Sequence, residues 1–276
     1  LENFDTDKSK LKEIYRLLQT VREEFIVLKV ETRDINESLE IFLTLNDRGL
    51  SLGPSDLVRG QIMTNLSAGE SAETQKNLNK QIFEEWEEIL RNVSEPEIFF
   101  RHYLVSTGEQ PVQKKKVMKV AKERSDGDNA VEKKINSKAF WEDLLDASST
   151  YGKIVKADGL SNIGHYLVLL EWLSKSHRVL LLTLMRTFEE AKIFEAVRLT
   201  WILSVRWVAE GRNAQELESL YQKISTSIRK GADLNEVETR LRHESNFTVH
   251  LADFIRERGD SSFIGRALLI SINRHL

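Results

Sequence analysis

From Phe140 to the last residue, apolar side chains return every three or four positions, and this period constrains the fold more than any other feature of the chain. Such a repeat puts one set of side chains along one side of a helix, and that side has to be buried against another element. Phe140, Trp141, Leu144 and Leu145 open the series, with Ser137 as candidate N-cap. Residues 160–173 and 178–185 are so apolar that they are expected at the centre of the core. Residues 189–210 follow, with Phe194, Val197, Trp201, Ile202, Val205 and Val208 on one side and Gly211 as the stop. Asn213 caps the next helix, 214–229, and Gly231 closes it. Shorter helices are expected over 234–243, 248–257 and 263–276. His165, Trp172, Trp201 and Trp207 invite a cofactor pocket, but aromatics at helical spacing read as core.

The N-terminal part is mixed. Leu11, Ile14, Tyr15, Leu17, Leu18 and Val21 follow helical spacing across residues 6–22, after a start signal at Asp5, Thr6 and Asp7. Residues 24–32, EFIVLKVET, alternate as a strand. A single strand cannot satisfy its own backbone, so it needs a sheet or a partner.

Residues 35–66 then read as helix, tight polar loop, helix. Leu39, Phe42 and Leu43 form the first apolar stripe and Gly49 its stop, while Pro54 opens a second helix that carries Leu57, Val58, Ile62, Met63 and Leu66. Two roles fit the loop Asn46-Asp47-Arg48-Gly49. In one, Asn46 and Asp47 bond the local backbone and Arg48 pairs with a carboxylate such as Asp56. In the other, Arg48 faces a phosphate, assisted by the positive end of the helix opening at Pro54. Spacing leaves both open.

The string FLTLNDRGLSLGPSDLVRGQI resembles the LNxRGxxLxxxDL segment of the GmrSD family of modification-dependent restriction proteins. Asn46, Arg48, Gly49, Leu52, Asp56 and Leu57 match it residue by residue. In that family a ParB-like nucleotide-binding domain with a DGQQR motif precedes a helical region and a C-terminal HNH nuclease. Neither a DGQQR string nor an HNH motif occurs in this chain. The resemblance therefore implies an internal piece of a larger protein, and a start at Leu1 without methionine fits that expectation. It implies a C-terminal remnant of the ParB-like domain over 1–66 and a helical domain over 67–276. The fold class expected is mainly α, a helical bundle with one short N-terminal β-strand left from the mixed domain. Asn46, Asp47, Arg48, Gly49 and Asp56 would support the edge of the nucleotide site. The whole family member would use a nucleoside triphosphate and a divalent metal and act on modified DNA in antiphage defence.

Between these parts, residues 73–92 carry Leu78, Ile82, Phe83, Trp86, Ile89 and Leu90 at helical spacing, beside Glu84, Glu85, Glu87 and Glu88. Paired carboxylates can do acid–base or metal chemistry, yet on a helix they read as a solvated face. Pro96 marks another helix start, and His102 within that helix has no second ligand at i+4. The basic run Lys114, Lys115, Lys116, Lys119, Lys122 and Arg124 faces one nearby acid, Glu123. It is a candidate stripe for a DNA backbone, or an exposed helix face held by its valines. The sequence SDGDN at 125–129 reads as a loop. It lacks the terminal glutamate of a calcium loop, and no pair of histidines has zinc spacing.

A net charge of −3 excludes a uniformly basic nucleic-acid binder. The absence of cysteine excludes disulfides and thiolate metal sites. Apolar runs are broken too early for a membrane span by Glu171, Lys175, His177 and Arg178, and a cytoplasmic protein, open to homo-oligomer formation, is expected. No catalytic residue and no metal site is assigned. The functional expectation is a helical coupling segment of an NTP-dependent restriction protein, whose partners would be the nucleotide domain upstream and the HNH domain downstream. The rival is a helical scaffold or interaction module without nucleotide chemistry.

Overall fold

A computed structural model describes residues 2–24, 54–108, 117–125, 127–160 and 162–246, and every regular element among them is helical. The chain divides into two compact units, Leu1–Ser51 and Leu52–Leu276. In the first, helix α1 (Glu2–Glu23) covers the predicted N-terminal helix. Its stripe of Leu11, Ile14, Tyr15, Leu17, Leu18 and Val21 is exposed. Apart from Glu24, which closes a turn onto Thr20, the expected strand lies outside the described residues, as do the helices expected at 248–257 and 263–276.

The second unit runs α2 (Pro54–Ser67), α3 (Ala72–Asn92), α4 (Pro96–Thr107), α5 (Val117–Ser125), α6 (Ala130–Lys156), α7 (Gly164–Leu173), α8 (His177–Thr187), a 3-10 turn (Glu190–Lys192), α9 (Phe194–Ala209), α10 (Ala214–Arg229) and α11 (Leu234–Glu244). The boundaries have local causes. Ser71 accepts a hydrogen bond from the Thr74 amide at the head of α3, and Asn213 does the same for Gln215 at the head of α10. Asp233 and Glu236 form a reciprocal capping box on α11. Gly211 and Gly231 take positive φ values of 62° and 101°, the left-handed conformation that glycine reaches without a side-chain clash.

The helix expected to begin near Phe140 starts ten residues earlier, at Ala130. Asn129 caps it by accepting from the Glu132 amide. Ser137 is therefore not an N-cap: it sits inside α6, fully buried, and its hydroxyl donates to the Ser125 carbonyl at 2.7 Å while Asn65 donates to it at 2.9 Å. A hydroxyl that resembled a helix start in sequence fastens α6 to α2 and α5 instead.

Helix α6 is the spine of the first half, packed by α2, α3 and α5 and, farther along, by α4, α7 and α8. Helix α8 is the centre of the second half. Residues Val179 to Leu184 are all buried, as the apolar run anticipated, because α4, α6, α9 and α10 close around them. Helices α9 and α11 pack together and α9 also covers α7. Aromatic contacts knit the seam between α4 and α6, with Phe99 edge-on to Tyr151 at 5.1 Å and Tyr103 edge-on to Phe140 at 5.5 Å.

Candidate functional site

The residues singled out from the loop motif divide at the edge of the described chain. Asn46, Asp47, Arg48, Gly49 and Leu52 lie outside it. Asp56 stands in the first turn of α2, where its carboxylate suits the helix dipole, and lies 3.7 Å from Arg59. Its neighbour Ser55 is buried and donates through both its amide, at 3.3 Å, and its hydroxyl to Glu97 on α4. Of the basic run, Lys114, Lys115 and Lys116 lie outside the described residues, and nothing is described of the Lys122 side chain. Lys119 is exposed on α5, 3.7 Å from Glu123. On α3, Glu85 accepts from the Trp141 indole at 2.5 Å and Glu84 pairs with Lys80 at 3.6 Å. Trp201 and Trp207 are buried as expected, whereas Trp172 is 36% exposed and was misplaced in the core.

The most concentrated polar chemistry lies where sequence reasoning placed only hydrophobic packing. Four helices bring His102 (α4), Tyr151 (α6), Glu171 (α7), and His177 and Arg178 (α8) into one buried network. Arg178 is 3% exposed and its Nε donates to Glu171 Oε1 at 2.7 Å, while Nη2 donates to Oε2, a two-pronged pair. His177, 1% exposed, meets the same Oε1 at 3.0 Å. Arg178 Nη1 donates to the Tyr151 hydroxyl at 3.1 Å, and that hydroxyl lies 2.9 Å from His102 Nδ1. Glu95 adds a second carboxylate 3.7 Å from Arg178. The interruptions of the apolar runs by Glu171, His177 and Arg178 were the sequence signal: charges inside the most buried part of a chain need partners.

Burial acts to raise the Glu171 pKa, but hydrogen bonds from Arg178 and His177 outweigh it and hold the carboxyl near 2. Burial also acts against the charge on Arg178, and the Glu171 contact more than restores it, so its pKa is raised. Tyr151 is pushed up to about 12 by burial. Both histidines are pushed down, chiefly by burial: His102 well below its ordinary value, with Arg101 and Arg178 adding to the effect, and His177 despite its carboxylate partner. The network is thus an ionised Glu171–Arg178 pair flanked by neutral imidazoles.

Arginine has no acceptor, so the Tyr151 oxygen accepts from Arg178; donation of its own proton to His102 Nδ1 is the arrangement that gives each of these groups a partner. A neutral His102 then carries its ring proton on Nε2. No protein group among the described residues accepts it. His102 forms part of the wall of a cavity of about 690 Å³ between α4, the α7–α8 turn and the start of α10. Arg101, Glu97 and Ile98 share the α4 wall, Ser174, Lys175 and Ser176 the turn, and Ala214, Gln215 and Glu218 the α10 side.

Among the described residues no group of three His, Asp or Glu side chains is arranged to hold a metal ion, and no helix is long and apolar enough to cross a membrane. Comparison with protein-family models, with curated proteins and with solved structures finds no match for this chain.

Proposed function

We propose that this chain is the helical coupling part of an NTP-dependent, modification-dependent DNA restriction protein of GmrSD type. The observation that carries the reading is the residue match from Asn46 to Leu57. Its last members open α2, which is seated in the core through Val58, Ile62 and Leu66 and tied by Ser55 to Glu97 on α4. A change at the loop would therefore pass along the chain into a helix that cannot shift alone, since packed cores respond by discrete rearrangement. The nucleotide, its divalent metal and the modified DNA would be held by domains of the larger protein, with this segment transmitting between them.

The test is made in the full gene product. Arg48→Ala should lower nucleotide turnover, and Ser55→Ala should leave turnover in place while reducing DNA cleavage. Coupling changes of this kind span about 0.5–2 kcal/mol, so the expected loss is about 2- to 30-fold. A folded Arg48→Ala protein with unaltered nucleotide binding, turnover and cleavage would remove the reading. The exposed apolar stripe of α1 favours a second one, a helical interaction module. That reading expects no nucleotide turnover in the parent protein at all.

A further inference from the structure

We infer that the cavity between α4, the α7–α8 turn and α10 binds a small ligand through an oxyanion group, phosphate or carboxylate, received by His102 Nε2–H and Arg101. This site is independent of the restriction reading and lies wholly within the second unit.

Three observations converge on it. The first is the orientation of His102. The imidazole is 1% exposed, yet it belongs to the cavity wall, and its Nδ1 is occupied by Tyr151. The Glu171–Arg178–Tyr151 series favours the tautomer protonated on Nε2, and no described protein group accepts that proton. That nitrogen is not one of the enclosed polar atoms left without a partner; it meets the space of the cavity, where a ligand acceptor can take its proton.

The second is Arg101, next to His102 on the α4 wall of the cavity. Its Nη1 donates to Glu218 at 2.5 Å, and no other hydrogen bond of its guanidinium is made within the described residues. Nε and Nη2 retain donors in the planar fork geometry that suits oxyanions. The third is the field. Behind the larger effect of burial, Arg101 and Arg178 both act against protonation of His102 while Glu171 acts for it, and the two guanidinium charges are at hand to attract an anion. The carboxylates of the cavity already serve other groups: Glu218 accepts from Arg101 and Gln222, and Glu97 accepts twice from Ser55. At about 690 Å³ the space accommodates a small organic molecule and exceeds what a single ion fills.

The test uses the whole chain with histidine side chains labelled with 15N. It is titrated with inorganic phosphate and, separately, with acetate at constant ionic strength. Before addition, His102 should show a neutral ring protonated on Nε2. Phosphate or acetate should shift the His102 Nε2 signal saturably, and the probe with the lower Kd identifies the oxyanion source. Arg101→Gln, a change at a partly exposed side chain, should weaken that binding about tenfold with the signal dispersion of the fold retained. Tyr151→Phe should let His102 populate both tautomers and weaken binding several-fold without changing the cavity wall. The inference is overturned if both probes leave His102 unmoved, if they shift surface amides alone, or if Arg101→Gln binds as tightly as the parent chain.

Discussion

Replacing Glu171 by Ala should destabilise the helical unit by about 3–5 kcal/mol, the range found when one partner of a buried ion pair is removed. Arg178 would keep its charge while 3% exposed, with the Glu95 carboxylate 3.7 Å away as its remaining acid, and His177 would lose its acceptor. The double variant Glu171→Ala/Arg178→Met should recover much of the loss, because it removes the stranded charge as well. Urea unfolding checks both, through a lower midpoint at unchanged slope for the single variant and a restored midpoint for the double. The pH dependence follows from the same groups. Glu171 is depressed from 4.5 to about 2 in the fold, so its contribution is complete above the unfolded value and is lost as pH falls toward 2. His102 and His177 are depressed from 6.5, so the unfolded chain takes up protons first and stability also declines as pH falls below that value. The parent chain should therefore lose stability in two acid steps, and Glu171→Ala should lack the lower one.

The helical class was legible because capping residues and apolar period agreed along most of the second unit. Asn213, Gly211 and Gly231 each did in the structure what their side chains, or lack of one, announced in sequence. The start of α6 was missed for an equally physical reason. Its first three turns carry Val131 and Ile135 outward, 70% and 62% exposed, so no buried stripe marks them. The apolar period becomes visible only at Phe140, where α4 begins to cover the helix. The network around Arg178 was hidden in a different way. Its members come from four helices, His102 and Tyr151 are 49 residues apart, and their meeting is a property of packing. Sequence order showed that Glu171, His177 and Arg178 interrupt apolar runs, but not that one carboxylate would accept from both the imidazole and the guanidinium. For the loop motif, the described chain begins again at its second helix, and Ser55, absent from the matched set, turned out to hold that helix to α4.

Leu181→Ala should cost about 2–5 kcal/mol, the range for a large side chain truncated in a closed core. Leu181 has no exposure at all, and it is one of eight buried residues among the eleven of α8. The surrounding helices α4, α6, α9 and α10 converge on this position, so none can collapse into the void without disturbing the others. Leu17→Ala on α1 is the informative partner experiment. Both leucines belong to stripes of the same helical period, yet Leu17 is 66% exposed, and its truncation should stay within about 0.5 kcal/mol. Thermal unfolding of the two variants, each at several protein concentrations, separates period from burial. A small, concentration-independent effect for Leu17→Ala places the α1 stripe in water. A loss at Leu17 that is large at high protein concentration and shrinks on dilution means that a second copy of the chain covers the stripe, because association stabilises the parent chain less as the oligomer dissociates. The value at Leu181 should not depend on concentration in either case, since its burial is supplied entirely by the helices of its own unit.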